Sequence, residues 1–501
     1  MVLERESPNV REPSIVDAVI PVVVLILLIG MSLALFGTAA TDGPLQVALL
    51  LSAAVAALVA RKNGHQYFVI SEYIVSGVST AMGALFILLA VGALIGTWNL
   101  SGTTATVVHL GIELLRPAYF FFTVALICAA VGMVTGSSWT TAGTIGVAFA
   151  GMAPVLGLSK EITAGAIISG AYLGDKMTPL SETTILVPKL VGGLDVYQHI
   201  RALLWTTGPA FAIALVLFLA IGLTNDVTET TAEKDTALQA IESAYNVSAV
   251  NLLPLLALLV MSLRRWPPFL SILTAALLAG VMAGFTQPDA VRALADDAGL
   301  GIVGATVKAI YISMATGFVL RTGIEPIDAL FSRGGMASML TTIWLVLGAL
   351  SFAAVMESAG FLARLIQPVI SFARTTGRLI LSVAGTCIGL NIIAGDQYIA
   401  DVLPARTYRV EFQKRGIHPQ VLSRTVDDTG TVTSPLVPWN SCGAYMAGTL
   451  GVATTAYFPY CFFNLINPLI SVLYGLTGFQ VKRIDAVESA EPHEPEARQA
   501  A

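Results

Sequence analysis

Side chains able to strip a small cation of its water occur in two stretches of this chain that are otherwise apolar. Residues 169–189 read SGAYLGDKMTPLSETTILVPK and place Asp175, Lys176, Thr178, Ser181, Glu182 and Thr183 around a proline. Residues 421–441 read VLSRTVDDTGTVTSPLVPWNS and carry Asp427, Asp428, Thr429 and Thr433. An ionisable side chain at membrane depth costs about 3 kcal/mol on insertion scales, so such clusters mark function by default. Carboxylates, hydroxyls and carbonyls released by a helix break are hard oxygen ligands, the set that suits a small cation.

The elements holding these residues are membrane helices. The 501-residue chain is 55% hydrophobic and 12% charged, far more apolar than a soluble protein, and reads as an all-α polytopic membrane protein with about 10–13 transmembrane helices. Spans at 15–36 and 44–60 each come near the roughly 20 apolar residues that cross a bilayer. The first is too long, and too late after an acidic head, for a cleaved signal peptide. Arg61 and Lys62 follow the second span, and basic residues flanking a span stay cytoplasmic, which puts a tail at 1–14 inside. Further spans read at 78–98, 117–134 and 203–223, and 100–116 is shorter and more polar, as in a re-entrant or interfacial segment. Residues 135–141 form a Gly- and hydroxyl-rich patch opening a helix to 156, where Ser137 lines a cavity or the small residues simply pack helices.

An acidic linker at 225–247 divides a first half, 15–224, from a second, 248–479. In the second half, 251–263 and 269–285 form a hairpin with a cytoplasmic Arg264–Arg265 turn, 300–331 reads as an amphipathic arm or tilted helices, and 336–356 and 379–394 are spans. The hydrophilic run 407–414 reads as a cytoplasmic loop, 444–452 and 457–476 complete the membrane part, and 480–501 is a disordered, cytoplasmic tail. The net charge of −5 gives no basic footprint for a nucleic-acid partner. The four cysteines fall in apolar stretches as buried thiols, and the five histidines are scattered singly, so no metal cofactor is expected.

The two polar stretches align with each other: Gly174 falls on Gly430, Pro179 on Pro435 and Leu180 on Leu436. Upstream, Thr135, Gly136 and Ser137 fall near Ala394, Gly395 and Asp396, with one small indel. Interrupted hydrophobic segments at corresponding positions of two halves point to a transporter's binding site. The loop before the first break is nearly free of basic residues, and the one before the second is strongly basic, as an inverted repeat requires.

At GDKMTPLSETT and VDDTGTVTSPLVPWNSCGAYM the chain resembles the NhaC-type sodium/proton antiporter family of the ion-transporter superfamily, with similarity from about Val78 to Gly475. That resemblance implies two inverted repeats, each with a re-entrant hairpin and a broken helix, often moving as an elevator. Ser is common in the family where Thr178 stands and Asn where Ile185 stands, so the first difference keeps a hydroxyl and the second removes a polar group. Trp439 and Asn440 are placed near the site by the resemblance, although an aromatic there also suits a membrane interface.

The expected sodium- and proton-binding set is therefore Asp175, Thr178, Ser181, Glu182 and Thr183 with Asp427, Asp428, Thr429 and Thr433, the three aspartates being the sodium ligands. Ser137, Lys176, Asp396, Trp439 and Asn440 line the same cavity. Adjacent acids in a poorly hydrated setting hold protons readily, so proton and sodium compete for one negative charge. Competition in a carrier that crosses only when loaded is antiport. Neighbouring residues on a regular helix point about 100° apart, so one of Asp427 and Asp428 binds the ion and the other is its structural partner. Lys176 reads first as an ion-pair partner of another membrane carboxylate and second as a cation displaced when sodium arrives.

The alternative function is a sodium- or proton-coupled exchanger of small organic acids such as malate and lactate, with Lys176 or a loop arginine on the carboxylate. An intramembrane enzyme is not expected: Tyr172, Leu173 and Gly174 precede Asp175 where an aspartyl protease needs Gly-x-Gly-Asp, and no His-Glu-x-x-His occurs. The partners expected are sodium, protons and the lipid bilayer of the inner (plasma) membrane, with a homodimer as an arrangement open to such a chain.

Overall fold

In each half a helix runs into a glycine in the left-handed region, and a side-chain cap starts the next helix. Phe120–Thr135 ends at Gly136 (φ +69°), after which Ser137 caps Ser138–Thr141 by accepting from Thr140 N at 3.1 Å. Thr376–Ile393 is followed by Gly395 (φ +62°), and Asp396 caps Gln397–Lys414 by accepting from Ile399 N at 3.1 Å. A side chain at such a φ costs about 1–2 kcal/mol, which glycine avoids. The chain is therefore broken at a fixed point.

A second break faces the first within each half. Lys160–Lys176 stops before Pro179, and Ser181 stands at the N-cap of Glu182–Leu190. Pro419–Val426 passes into the π-helical turn Asp427–Thr431 and the short turn Ser434–Leu436, after which Asn440 caps Ser441–Leu450. Gly136 lies against Leu180, and Gly395 against the Trp439 carbonyl. The register read from the sequence runs through Leu180 and Leu436. Beyond it the second break carries Val437, Pro438 and Trp439 before its cap, and the first carries nothing. This three-residue difference comes after the upstream indel, and it pairs the caps Ser181 and Asn440.

This computed structural model describes residues 10–114, 116–224, 231–321, 323, 328 and 331–484. The tails expected at 1–14 and 480–501 and the linker expected at 225–247 lie largely or partly outside the described residues; within the linker, Thr231–Ala244 is helical. Among the described residues the chain is helical with no strand, and eight helices are long and apolar enough to cross a membrane, or up to ten if two bent pairs each count as one span. The ten to thirteen expected also counted the broken helices, which are too short and polar to qualify singly.

The chain packs as two groups. Ile15–Phe36, Pro44–Lys62, Tyr67–Thr80 and Leu340–Ser358 pack together, and Met82–Leu100 lies along Pro268–Thr286 and Ile302–Ala315. The broken helices pack mainly with Phe120–Thr135, Val196–Thr224, Thr376–Ile393 and Phe462–Thr477, while Ser441–Leu450 lies against Leu340–Ser358 and Met82–Leu100 of the other group. One local expectation is corrected and two are narrowed. The 407–414 run is the end of the Gln397–Lys414 helix, since its basic side chains sit on a helix whose other face carries buried Tyr408 and Phe412. Within 100–116, Thr103–Leu114 is a largely buried helix, its hydroxyls facing protein instead of a membrane interface. Within 300–331, Ile302–Ala315 is a helix packed on Met82–Leu100, and the chain then returns along that same helix, with Gly335 N donating to Gly92 O at 2.7 Å.

The tightest seam fixes the first break in place. Phe120–Thr135 and Lys160–Lys176 approach through small residues, as membrane helices do when dispersion must replace the hydrophobic effect. A Cβ at Gly170 would overlap the Ala125 carbonyl oxygen, and one at Gly174 would meet the Ala129 carbonyl at 2.5 Å. Gly170→Val is therefore expected to lose about 3 kcal/mol by overpacking. Its thermal unfolding midpoint in detergent should fall well below that of Ser79→Val, a change at an exposed position; equal midpoints would contradict the seam.

Candidate cation-binding site

Asp428 is the centre of a fully buried cluster. Its position in the π-helical turn leaves it 0% exposed, and its Oδ1 receives Lys176 Nζ at 2.5 Å, Thr206 Oγ1 at 3.0 Å and Asn467 Nδ2 at 3.0 Å. Asp427 is equally buried, with Oδ2 3.0 Å from His199 Nε2 and Oδ1 4.0 Å from Lys176 Nζ. Ser423 Oγ lies 2.8 Å from His199 Nδ1, which fixes the ring from its other side. Four elements thus meet at two adjacent acids: the ends of both broken helices, Val196–Thr224 and Phe462–Thr477.

The hydrogen bonding of this cluster is incomplete. The two carboxylates face the Lys176 ammonium and the His199 ring, and among the described residues Asp427 Oδ1 and Asp428 Oδ2 lack a hydrogen-bond partner. Arg424, one turn earlier, is buried too but forms no hydrogen bond or ion pair with either acid among the described residues. Taking a charge out of water costs several kcal/mol, which one good partner only offsets. Two unpartnered oxygens on buried acids are what a proton or a small cation can satisfy.

Asp175 takes a different direction, as neighbours on a helix must. Its Oδ2 accepts from Ser138 N at 3.1 Å and Ser138 Oγ at 2.7 Å, at the N-terminus of the helix that restarts after Gly136. Asp175, expected as a sodium ligand together with Asp427 and Asp428, is bound at the first-half break, and Lys176 beside it makes the contact with the acid pair. That is the ion-pair reading of Lys176.

The remaining predicted residues divide by what they touch. Thr429 and Thr433 are buried, but their hydroxyls return to the Thr425 and Thr429 carbonyls at 2.6 Å each. Thr178 Oγ1 accepts from Leu180 N at 3.4 Å, and Ser181 Oγ lies 3.2 Å from Thr183 Oγ1, so these three brace the first break. Glu182 is exposed in the first turn of its helix, where a negative charge suits the helix dipole, and it does not join the buried cluster. Ser137 and Asp396 are half-buried caps of the two restarted helices. Trp439 Nε1 donates to the Ile392 carbonyl at 2.6 Å, and Asn440 Nδ2 to Asn391 Oδ1 at 3.0 Å; both tie the second break to Thr376–Ile393.

Sequence reasoning missed His199, Thr206 and Asn467, each lying on a long apolar helix. A lone polar residue there gives no periodic signal, and only its burial beside an acid marks it. Ser138 was adjacent to a residue singled out, and its Oγ is the better acid ligand. The four cysteines are all buried and free.

A profile of the Na+/H+ antiporter family matches residues 4–191 and 189–479. The chain is 36% identical over 439 residues to the Na+/H+ antiporter NhaC of Alkalihalophilus pseudofirmus, spanning 87% of this chain and 90% of that protein. It is 31% identical over 471 residues to the malate-2H+/Na+-lactate antiporter of Bacillus subtilis, spanning 94% and 96% of the two chains. It is also 32% identical over 487 residues to the arginine/ornithine antiporter ArcD of Halobacterium salinarum, spanning 96% of each.

Proposed function

The chain belongs to the Na+/H+ antiporter family, and we propose that it exchanges sodium for protons across the membrane, with Asp427 and Asp428 binding either ion. One observation carries this reading: a fully buried acid pair holds one ammonium and keeps two carboxylate oxygens free. A proton and a sodium ion each satisfy these carboxylate oxygens, and both cannot do so at once. Exchange follows if the neutralised cluster alone can be moved. The denser packing of the broken helices with their own group supports an elevator-type motion, in which that group carries the site and Ser441–Leu450 slides on Leu340–Ser358. Asp175, tied to the first break, completes the sodium shell in this reading, and both termini lie on the cytoplasmic side of the inner membrane.

The organic-acid alternative has a relative in the malate-2H+/Na+-lactate antiporter. The site supports it less well, because Lys176, the lysine expected on the organic carboxylate, is committed to Asp428. Proteoliposomes holding a pH-sensitive dye decide between them. A sodium gradient alone should move protons, saturably, with no organic solute present. No sodium-dependent proton movement at any pH would overturn the proposal, and movement only with malate or lactate would establish the alternative.

A further inference from the structure

A third buried carboxylate lies beside the acid pair and has no part in the exchange chemistry above. Asp401 is on the Gln397–Lys414 helix and is 1% exposed. Its Oδ2 accepts from Thr431 Oγ1 at 3.0 Å, and its Oδ1 has no hydrogen-bond partner. Its place is set by the π-helical turn: Asp401 Oδ1 occupies the space that a Cβ on Gly430 would fill, with the Ala400 carbonyl 3.1 Å from the same point. Only glycine at 430 lets a carboxylate press so closely on the turn that carries Asp427 and Asp428.

The charged and titratable groups around Asp401 do not neutralise it. Asp427 on the π-helical turn and Asp396 on its own helix are like charges, and Cys387 of Thr376–Ile393 is a buried thiol. Among the described residues no ion pair reaches Asp401, and Lys176, a cation near it, is bonded to Asp428. An ionised carboxylate in this position would be a buried, uncompensated charge, which costs several kcal/mol. A sodium ion needs about five or six oxygens, more than this corner offers. A proton needs one lone pair, and Oδ1 has it.

We propose that Asp401 is a second proton-binding site, separate from the acid pair that exchanges sodium, and that its proton is carried in the same cycle. The transport role rests on the sodium/proton reading; the proton site itself does not. Protonation is a simple transfer: the carboxylate takes a proton from water to become a carboxylic acid and later returns it to water. Neutral Asp401 removes the like charge beside Asp427, which favours ionisation of the acid pair when sodium binds.

Infrared difference spectra of the purified full-length protein test the site directly. Wild type should show protonated-carboxyl bands that disappear as pH rises, and Asp401→Asn should lack one band that persists in Asp428→Asn. Asn copies the proton-loaded acid in shape and charge, so sodium binding measured with sodium-22 should persist. In proteoliposomes the same variant should move fewer protons per sodium than wild type. Thr431→Val removes the hydroxyl that donates to the ionised form, so its band should survive to higher pH, and this variant carries the test if Asp401→Asn does not fold. An unchanged band in Asp401→Asn, an unchanged proton-to-sodium ratio, or no shift in Thr431→Val overturns the proposal. Loss of the band alongside a wild type that shows no sodium-driven proton flux would sink the exchange reading and leave the proton site standing.

Discussion

Asp428→Asn abolishes sodium-driven proton flux and lowers the stability of the protein. Lys176 is 0% exposed and depends on Asp428 Oδ1 at 2.5 Å. Removing that charge leaves an ammonium buried with only the carboxylate of Asp427 at 4.0 Å, and breaking a buried pair from one side costs about 3–5 kcal/mol. Thr206 and Asn467, which both donate to Asp428, lose the ionised acceptor as well. Flux should fall by about 100-fold or more, since the loss of some 3 kcal/mol of ion binding is two factors of ten. Thermal unfolding in detergent should drop in parallel.

Those two effects have different causes, and a double variant separates them. Lys176→Met combined with Asp428→Leu removes the pair from both sides, and replacing a buried ion pair by apolar residues is often neutral or stabilising. The double variant should recover most of the unfolding midpoint while flux stays absent. If it recovers flux as well, the acid pair is not the ion site. If Asp428→Asn transports normally, the same conclusion follows.

The sequence showed the site where polarity interrupts an apolar run, and concealed it where the helix stays apolar. Asp427 and Asp428 were visible because two acids sit within a membrane segment, and the breaks were visible because glycine, proline and hydroxyls gather there. The alignment of Pro179 with Pro435 located both breaks, because proline stops a helix wherever it occurs. What it could not supply was the π-helical turn, which depends on how Asp427–Thr431 packs against Asp401 and Asn391. His199 was read as a scattered histidine, and single residues on apolar helices carry no spacing to read. Facing partners across more than two hundred residues, such as Lys176 and Asp428, are set by tertiary packing alone. The inversion of the repeats was inferred from loop charge and stays a proposal here.

Asp175→Asn decides whether the first break takes part in ion binding or only shapes the cavity. The carboxylate has two separable roles. As a cap, its Oδ2 satisfies Ser138 N and Ser138 Oγ, donors that the break after Gly136 would otherwise leave open. As a charge, it adds a negative site at the end of the Lys160–Lys176 helix, one residue from the lysine that holds Asp428. Asparagine keeps an acceptor oxygen and a similar shape, so the cap survives while the charge is lost. Asp175→Ala loses both, and removal of a cap costs about 1 kcal/mol. Asp175→Asn should therefore unfold near the wild-type midpoint and Asp175→Ala below it. Sodium-driven proton flux should fall by about tenfold or more in both, because a hard cation loses roughly 1.4 kcal/mol or more with a carboxylate ligand. Wild-type flux in Asp175→Asn with reduced stability in Asp175→Ala would confine ion binding to the second half and leave the first break as a brace. Low flux in both would require one ion to be held by two breaks from opposite halves, so that neither half can release it without moving relative to the other.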